Sequence, residues 1–247
     1  MWEATVDGRT LHFHLAGINN QNFLMRDEET GSWWQQVTGQ AIFGPLKGRR
    51  LVPVPQDELS FALWRGEHPE GRVLRPEAAV QAAKQYAPAD WEAQIARLPL
   101  ATPTHDPRLP ARELVAGLVV DGVAKAYTMA DLRRQSPILD VVGSVPVIVV
   151  AAADGQSVRA FRRTLDGKTL ELFAIPGRAP VTLVDAGSGS EWDFAGRALE
   201  GPLQGRQLQK VELLRDYWFD WRTYHPATAI FHAGLRRAAE PPATFAR

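Results

Sequence analysis

The strongest constraint on this chain is that it writes one segment twice. GPLKGRRL at Gly44 to Leu51 returns as GPLQGRQL at Gly201 to Leu208, at an offset of 157 residues. The register continues without a gap: Gly39 meets Gly196, Ala41 meets Ala198, Val54 meets Val211, Trp64-Arg65 meet Trp221-Arg222, and His68-Pro69 meet His225-Pro226. Thirteen of the 36 positions from Gly39 to Leu74 are identical, against roughly two expected from average residue usage. One slip upstream brings Gly31-Ser32 and Trp34 onto Gly189-Ser190 and Trp192, and a second brings Asp7-Gly8 onto Asp166-Gly167. The shared module therefore runs from Asp7 to Leu74 and from Asp166 to Phe231, and the fold must accommodate two copies of one unit.

The module is written in hairpin chemistry. In ELVAGLVVDGVAKAYTM two apolar runs flank Asp121-Gly122, a turn whose two central residues take positive φ. Asp7-Gly8, Asp154-Gly155 and Asp166-Gly167 repeat that signal. In GPLKGRRL, Pro45 presets φ and Gly48 supplies a left-handed residue, so QAIF and RLVPV are expected to pair. SVPVIVVAAADG reads as a buried strand ending in a turn, and Thr128 to Asp131 as a capping box before the helix DLRRQ. Between the copies, PEAAVQAAKQY and PADWEAQIARL each open with Pro at a first helical position, and Trp91, Ile95 and Leu98 share one helical face. The Pro-rich run LPLATPTHDPRLP then reads as an extended linker. The expected fold is mainly β with short helices (α+β), built of two hairpin-rich modules related by pseudo-twofold symmetry. Its parts are a first module at 1–74, apparently truncated at its start, a helical and Pro-rich connector at 75–111, and a complete second module at 112–247.

Charge and composition narrow the function classes. Lys+Arg 28 balance Asp+Glu 28, so no nucleic-acid footprint or polybasic membrane patch is expected. Cysteine is absent, which removes disulfides, thiolate metal sites and thiol nucleophiles. No stretch approaches the roughly 18 apolar residues of a membrane span. The start MWEATVDGRTLHFHLAG lacks a basic region followed by an apolar one. As written the expected compartment is cytoplasmic; a signal peptide ahead of Met1 in the native gene would make it extracytoplasmic.

Four kinds of residue are candidates for chemistry. Arg49 and Arg206 follow the repeated glycine turn and could serve an anion, although the spacing lacks a P-loop's lysine and helix. AGSGS at Ala186 to Ser190 is not the G-x-S-x-G of a nucleophile elbow. His12 and His14 alternate with Leu11, Phe13 and Leu15, which puts both imidazoles on one side of a strand at a metal-chelating spacing, with no third ligand in sight. His68 and His225 stand four residues after Trp64 and Trp221 in WRGEHP and WRTYHP. On a helical turn each pair would stack on one face, either as a packed cap or as a functional histidine.

RDEETGSWWQQVTGQAIFGPLKGRRL, LWRGEHPEGRVL and YWFDWRTYHPATAIF together resemble the bacterial and archaeal domain of unknown function catalogued as family 3179, over nearly the whole chain from GRTLHFHLAG onward. The resemblance implies that relatives carry, ahead of the module that opens this chain, a portion similar to ELVAGLVVDGVAKAYTMADL and SVPVIVV that continues into a Cys-Pro-Leu-Cys motif, sometimes with selenocysteine. Such a pair implies thiol or selenol redox chemistry. In the second copy Ala151-Ala152-Ala153 stand where that motif would fall, and in the first copy Asp7-Gly8 lies too close to Met1 for the motif to fit. A first copy truncated in this way predicts an exposed sheet edge that a partner chain or a second subunit would cover.

The expected function is therefore a noncatalytic, β-rich protein that binds a small ligand or a protein partner at the junction of its modules. Trp64, His68, Trp221, His225, Arg49 and Arg206 are the candidate contacts, with no catalytic residue and no cofactor. The alternative is a remnant or fragment of an extracytoplasmic thiol or selenol redox protein. A third reading is a metal-dependent hydrolase using His12 and His14.

Overall fold

The computed structural model describes residues 1–19, 22–75, 77–78, 90–100, 106–178 and 181–233. Four short helices occur among them: α1 (Phe61–Glu67), α2 (Trp91–Ile95), α3 (Met129–Arg134) and α4 (Trp218–Tyr224). None is long and apolar enough to cross a membrane. The rest of the regular structure is β, and the chain divides into two compact units.

The first unit comprises Met1–Glu113 with Asp216–Pro226. Its strands β1 (Thr5–Val6) and β2 (Arg9–Thr10) close on Asp7-Gly8. Strands β3 (Phe13–Asn19), β4 (Asn22–Asp27), β5 (Trp33–Gln35) and β6 (Gln40–Phe43) pair antiparallel in that order. Val6, Leu11, Trp34, Ala41 and Leu51 form its core, and the ring of Phe13 meets Trp34 edge-on at 5.8 Å. The edge strand β3 leaves Leu15 and Ile18 exposed.

The second unit comprises Leu114–Arg215 with Ala227–Arg247, described to residue 233. It contains β7 (Leu114–Val120), β8 (Val123–Thr128), β9 (Ile138–Val142), β10 (Val145–Ala151), β11 (Val158–Arg162), the pair β12 (Thr164–Leu165) and β13 (Lys168–Thr169), then β14 (Leu172–Ala174), β15 (Leu183–Asp185), β16 (Glu191–Trp192), β17 (Ala198–Glu200), β18 (Lys210–Val211), β19 (Leu213–Tyr217) and β20 (Ala229–Ile230). Two of its four-stranded sheets run β18-β11-β10-β9 and β19-β7-β8-β20, the last pair parallel. Their inner faces, including Leu118, Tyr127, Ile138, Val147 and Val149, form the larger core. The apolar run of β10 is buried almost throughout, and strands pair with it on both edges.

Turn chemistry fixes most boundaries, with one instructive departure. Asp7, Asp121 and Asp166 have φ of 50°, 48° and 48°, each followed by a positive-φ glycine, as the expected turn demands. Asp154 does not join them: only Gly155 has positive φ there. The Asp154 carboxylate instead accepts from the N–H of Gln156 at 2.9 Å and of Ser157 at 2.8 Å, a side-chain turn that replaces the backbone one. The GPLKG turn also differs in part. Gly48 donates to Ala41 O at 2.8 Å and Ala41 to Arg49 O at 2.9 Å, but the returning arm only bridges at Gln40 and Arg50 and forms no strand.

Thr128 caps α3 by accepting from the Asp131 N–H at 3.0 Å, while the Asp131 side chain pairs with Arg134. The connector helix expected around PEAAVQAAKQY lies largely outside the described residues. Helix α2 ends at Ile95 and leaves Leu98 in the following turn, 53% exposed, so Leu98 does not extend an apolar helical face. Residues 106–110, read from sequence as the end of the linker, continue into Ala111 to Glu113, and the segment is structured against α4.

Candidate functional site

The repeated Trp-x-x-x-His element forms the same helical turn in both copies. His68 donates its N–H to Trp64 O and His225 to Trp221 O, both at 2.9 Å. The terminating residues share a backbone, with φ −128° and ψ 68° at His68 and φ −128° and ψ 64° at His225. The ring pairs differ: 6.0 Å between Trp64 and His68, 4.0 Å between Trp221 and His225. Burial pulls the His225 pKa below its ordinary value, because the charged imidazolium is the costlier form away from water.

Helix α4 buries Trp218, Phe219, Asp220 and Trp221. What covers it is the 106–113 segment. The Arg108 guanidinium lies 5.0 Å from the Trp218 ring, and Arg112 lies 5.5 Å from both Tyr217 and Phe219, distances at which a cation is attracted to the ring face. Trp218 and Phe219 donate their N–H groups to Glu113 O and Ala111 O, both at 2.8 Å. Asp106 joins the cover to the helix, 2.6 Å from Arg222 and 2.7 Å from Arg108. Its hydrogen bond from Arg108, with the nearby Arg222 charge, holds its pKa down at about 2.

A pair of carboxyl groups, absent from the sequence expectations, sits at the start of this helix. Asp216 and Asp220 hydrogen-bond one another, and burial, the Asp220 charge and the more distant Glu58 push Asp216 up to about 8. Burial also raises Asp220, against the hydrogen bonds it accepts from Asn22 and Asp216. Asn22 Nδ2 donates to Asp220 Oδ1 at 2.5 Å, and Gln35 Nε2 donates to the Tyr224 hydroxyl at 3.2 Å. Two like charges this close cannot both be ionised cheaply, so near neutral pH the pair shares a proton. It is a buried polar joint whose charge depends on pH.

Helix α1 has the same turn and a different surface. None of its residues is buried. Phe61 is 60% exposed and stacks on Trp64 at 5.7 Å; Val73 and Leu74 are exposed beyond the helix. A hollow of about 520 Å³ is lined by Trp64, Glu67, His68, Pro69, Glu70 and Gly71. Gly71 is needed there, since a Cβ at that position would come within 2.6 Å of the Trp64 ring.

The remaining candidates are held by near neighbours. Arg49 pairs with Asp7 at 3.0 Å, and Arg206 with Asp166 at 2.6 and 2.7 Å. Each arginine thus ties the glycine turn to the Asp-Gly turn of its own copy. His12, just ahead of β3, is bonded through Nδ1 to Glu29 at 2.6 Å, and that bond raises its pKa. His14 is exposed in β3 opposite Arg26. No group of three His, Cys, Asp or Glu arranged to hold a metal occurs among the described residues.

The SWW and SEW segments are structural. Asp27, fully buried, accepts from Thr30 N–H at 2.6 Å and from Trp34 Nε1 at 2.7 Å. Burial alone would raise its pKa, but these hydrogen bonds hold it below the ordinary value. Ser32 Oγ accepts from Leu46 N–H at 3.0 Å, as Ser190 Oγ does from Leu203 N–H at 3.0 Å. In the second unit a separate hollow of about 440 Å³ is lined by Arg133, Ser136, Ala151 to Gly155 and their neighbours.

Among known proteins, the family model described as protein of unknown function (DUF3179) matches residues 1–228. No curated protein and no solved structure matches the chain.

Proposed function

The chain belongs to the DUF3179 family of proteins of unknown function, and from that premise we propose that it is a noncatalytic binding protein whose contact surface is α1 with the adjoining hollow. One observation carries this reading: two helices that share a Trp-Arg pair, a His-Pro end and the same terminating backbone differ in burial, α4 burying four residues and α1 none. Phe61 on the helix and Val73 and Leu74 beyond it are exposed, apolar side chains of the kind that contact sites draw on. Trp64 supplies a large amphipathic ring, the residue type most often found at the energetic centre of an interface. Peptide display against the immobilised protein tests the reading, with counter-screening against a Phe61→Ser/Trp64→Ala variant. Peptides that bind the native surface and lose the variant support it. Failure to recover any peptide that distinguishes the two proteins overturns it.

A second reading has its own observation. The hollow at Ala151 to Gly155 occupies the stretch where the family resemblance puts a cysteine pair, which suits a scaffold derived from a redox protein. The reading frame upstream of Met1, compared with the intact mass of the native protein, tests it. An in-frame Cys-Pro-Leu-Cys in the native chain supports the redox reading, and a native mass equal to that of the present chain removes it.

A further inference from the structure

We infer that the hollow at the end of β10 is a binding site for a small monocarboxylate with an apolar body, held at its charged end by Arg133. Such a site needs neither a contact surface on α1 nor a cysteine pair. The hollow lies wholly within the second unit, and its volume of about 440 Å³ falls in the range of small-ligand sites. Ala151, Ala152, Ala153, Ala174 and Val181 give it an apolar wall of small side chains. Arg133, in the last turn of α3, is the one base of the lining, and Asp154 is the one acid. An apolar hollow with a few placed polar groups is how a small amphipathic ligand is both held and oriented.

The arginine is anchored and still open. Its Nε donates to Gly155 O at 3.2 Å, and a Cβ at Gly155 would lie 3.6 Å from that Nε and 3.7 Å from the side-chain stem. The stem therefore runs close along the bare face of the glycine. The two terminal nitrogens donate to no group among the described residues, and such a pair matches the two oxygens of a carboxylate. An arginine already held in place also loses less freedom when a ligand arrives. Ser136 does not compete, because its hydroxyl accepts from Ala151 N–H at 2.8 Å and donates to Ala151 O at 3.3 Å. The neighbouring charges limit what the site takes. Arg134 pairs with Asp131, and Arg215 donates to Gln156 O at 3.5 Å. The Asp154 carboxylate accepts from the N–H groups of Gln156 and Ser157 at 2.9 and 2.8 Å and from the Ser157 hydroxyl at 2.6 Å. That carboxylate repels a second negative charge on the ligand, so one open cation beside it suits a monoanion better than a phosphate dianion.

The test titrates the full chain with hexanoate, read by ligand-observed saturation-transfer NMR, with 1-hexanol and inorganic phosphate as comparison probes. Hexanoate should bind saturably and more tightly than either. Arg133→Gln should weaken it roughly tenfold or more, the loss that follows removal of hydrogen bonds to a charged group. Ala153→Phe, which puts a large ring into the lining, should weaken it as well. Both positions are exposed, and circular dichroism checks that each variant remains folded. Absence of saturable hexanoate binding overturns the proposal. Equal binding of 1-hexanol overturns it by removing the role of the charge, and equal binding of phosphate by removing the role of the apolar wall. Indifference of hexanoate to either substitution overturns it too, because the probe then binds elsewhere.

Discussion

The side-chain amide of Asn22 donates to the carboxylate of Asp220 at 2.5 Å, joining residues 198 positions apart. The bond ties the first residue of β4 to the middle of α4. Through Asp220 it also reaches Asp216, so a single amide helps decide where the shared proton of the pair resides.

Stability should fall as pH rises through neutrality. Asp216 is pushed up to about 8 in the folded protein, against about 4 for an unperturbed carboxyl. Between those values the folded state binds more protons than the unfolded one, so its stability declines across that window. Asp216→Asn should lessen the decline, gaining on the order of 2 kcal/mol at pH 8 and nothing resolvable at pH 4, with the remainder due to buried Asp220. The acid arm has the opposite sign and should persist in the variant. Asp27, Asp106 and Asp185 all have lowered folded pKa values, so the stability they supply is present above about pH 4 and lost on further acidification. Thermal unfolding of both proteins from pH 3 to 9 checks both arms.

Removing the amide should cost more as the pH rises. Asn22→Ala leaves the buried Asp220 carboxylate without its closest donor, a loss of roughly 1–3 kcal/mol. Asn22→Asp adds a third carboxyl to the joint and should be the worse of the two at pH 7, with the order narrowing at pH 5. Urea unfolding at the two pH values gives the comparison.

Two glycines of the repeated turn should respond unequally to the same substitution. Gly44 has φ of 94° and a Cβ there would sit 2.7 Å from the Ser32 Cα, whereas Gly48, with φ of 90°, has nothing within 4 Å. Gly48→Ala should cost about 1–2 kcal/mol from the backbone alone. Gly44→Ala should cost roughly 2 kcal/mol more, because backbone must move. Gly201, with φ of 89° and a Cβ 2.8 Å from the Ser190 Cα, should follow Gly44. Denaturant midpoints of the three variants check the order.

The two tryptophans of the repeat should separate stability from binding. Trp221 is 2% exposed, and Trp221→Ala should cost roughly 3–5 kcal/mol. Trp64 is only half-buried on a helix with no buried residue. Trp64→Ala should cost about 1 kcal/mol or less and leave a folded protein suited to binding measurements. Differential scanning calorimetry of the pair is the check.

Features written in a few adjacent residues were legible. The turns at Asp7, Asp121 and Asp166, the strand through Val145 and the cap at Thr128 depend on φ preference, apolar runs and one hydroxyl, all local. Asp154 departed because its carboxylate could satisfy two backbone donors, a local competition that the dipeptide Asp-Gly does not reveal. The Asp216–Asp220 pair escaped for another reason. Its counterparts in the first copy are Leu59 and Leu63, so attention to features shared by both copies passes over it. Nothing in the sequence of Asn22 marks it as the pair's partner either.

The sequence by itself determined that Trp64–His68 and Trp221–His225 would form one kind of helical turn, because that conformation is stabilised by bonds four residues apart. Only the tertiary structure decided that α4 buries four of its residues and α1 none. Burial depends on whether another length of chain passes over a surface, and residues 106–113 pass over α4. Turns of one backbone therefore become a core element in one place and an element without a buried residue in the other.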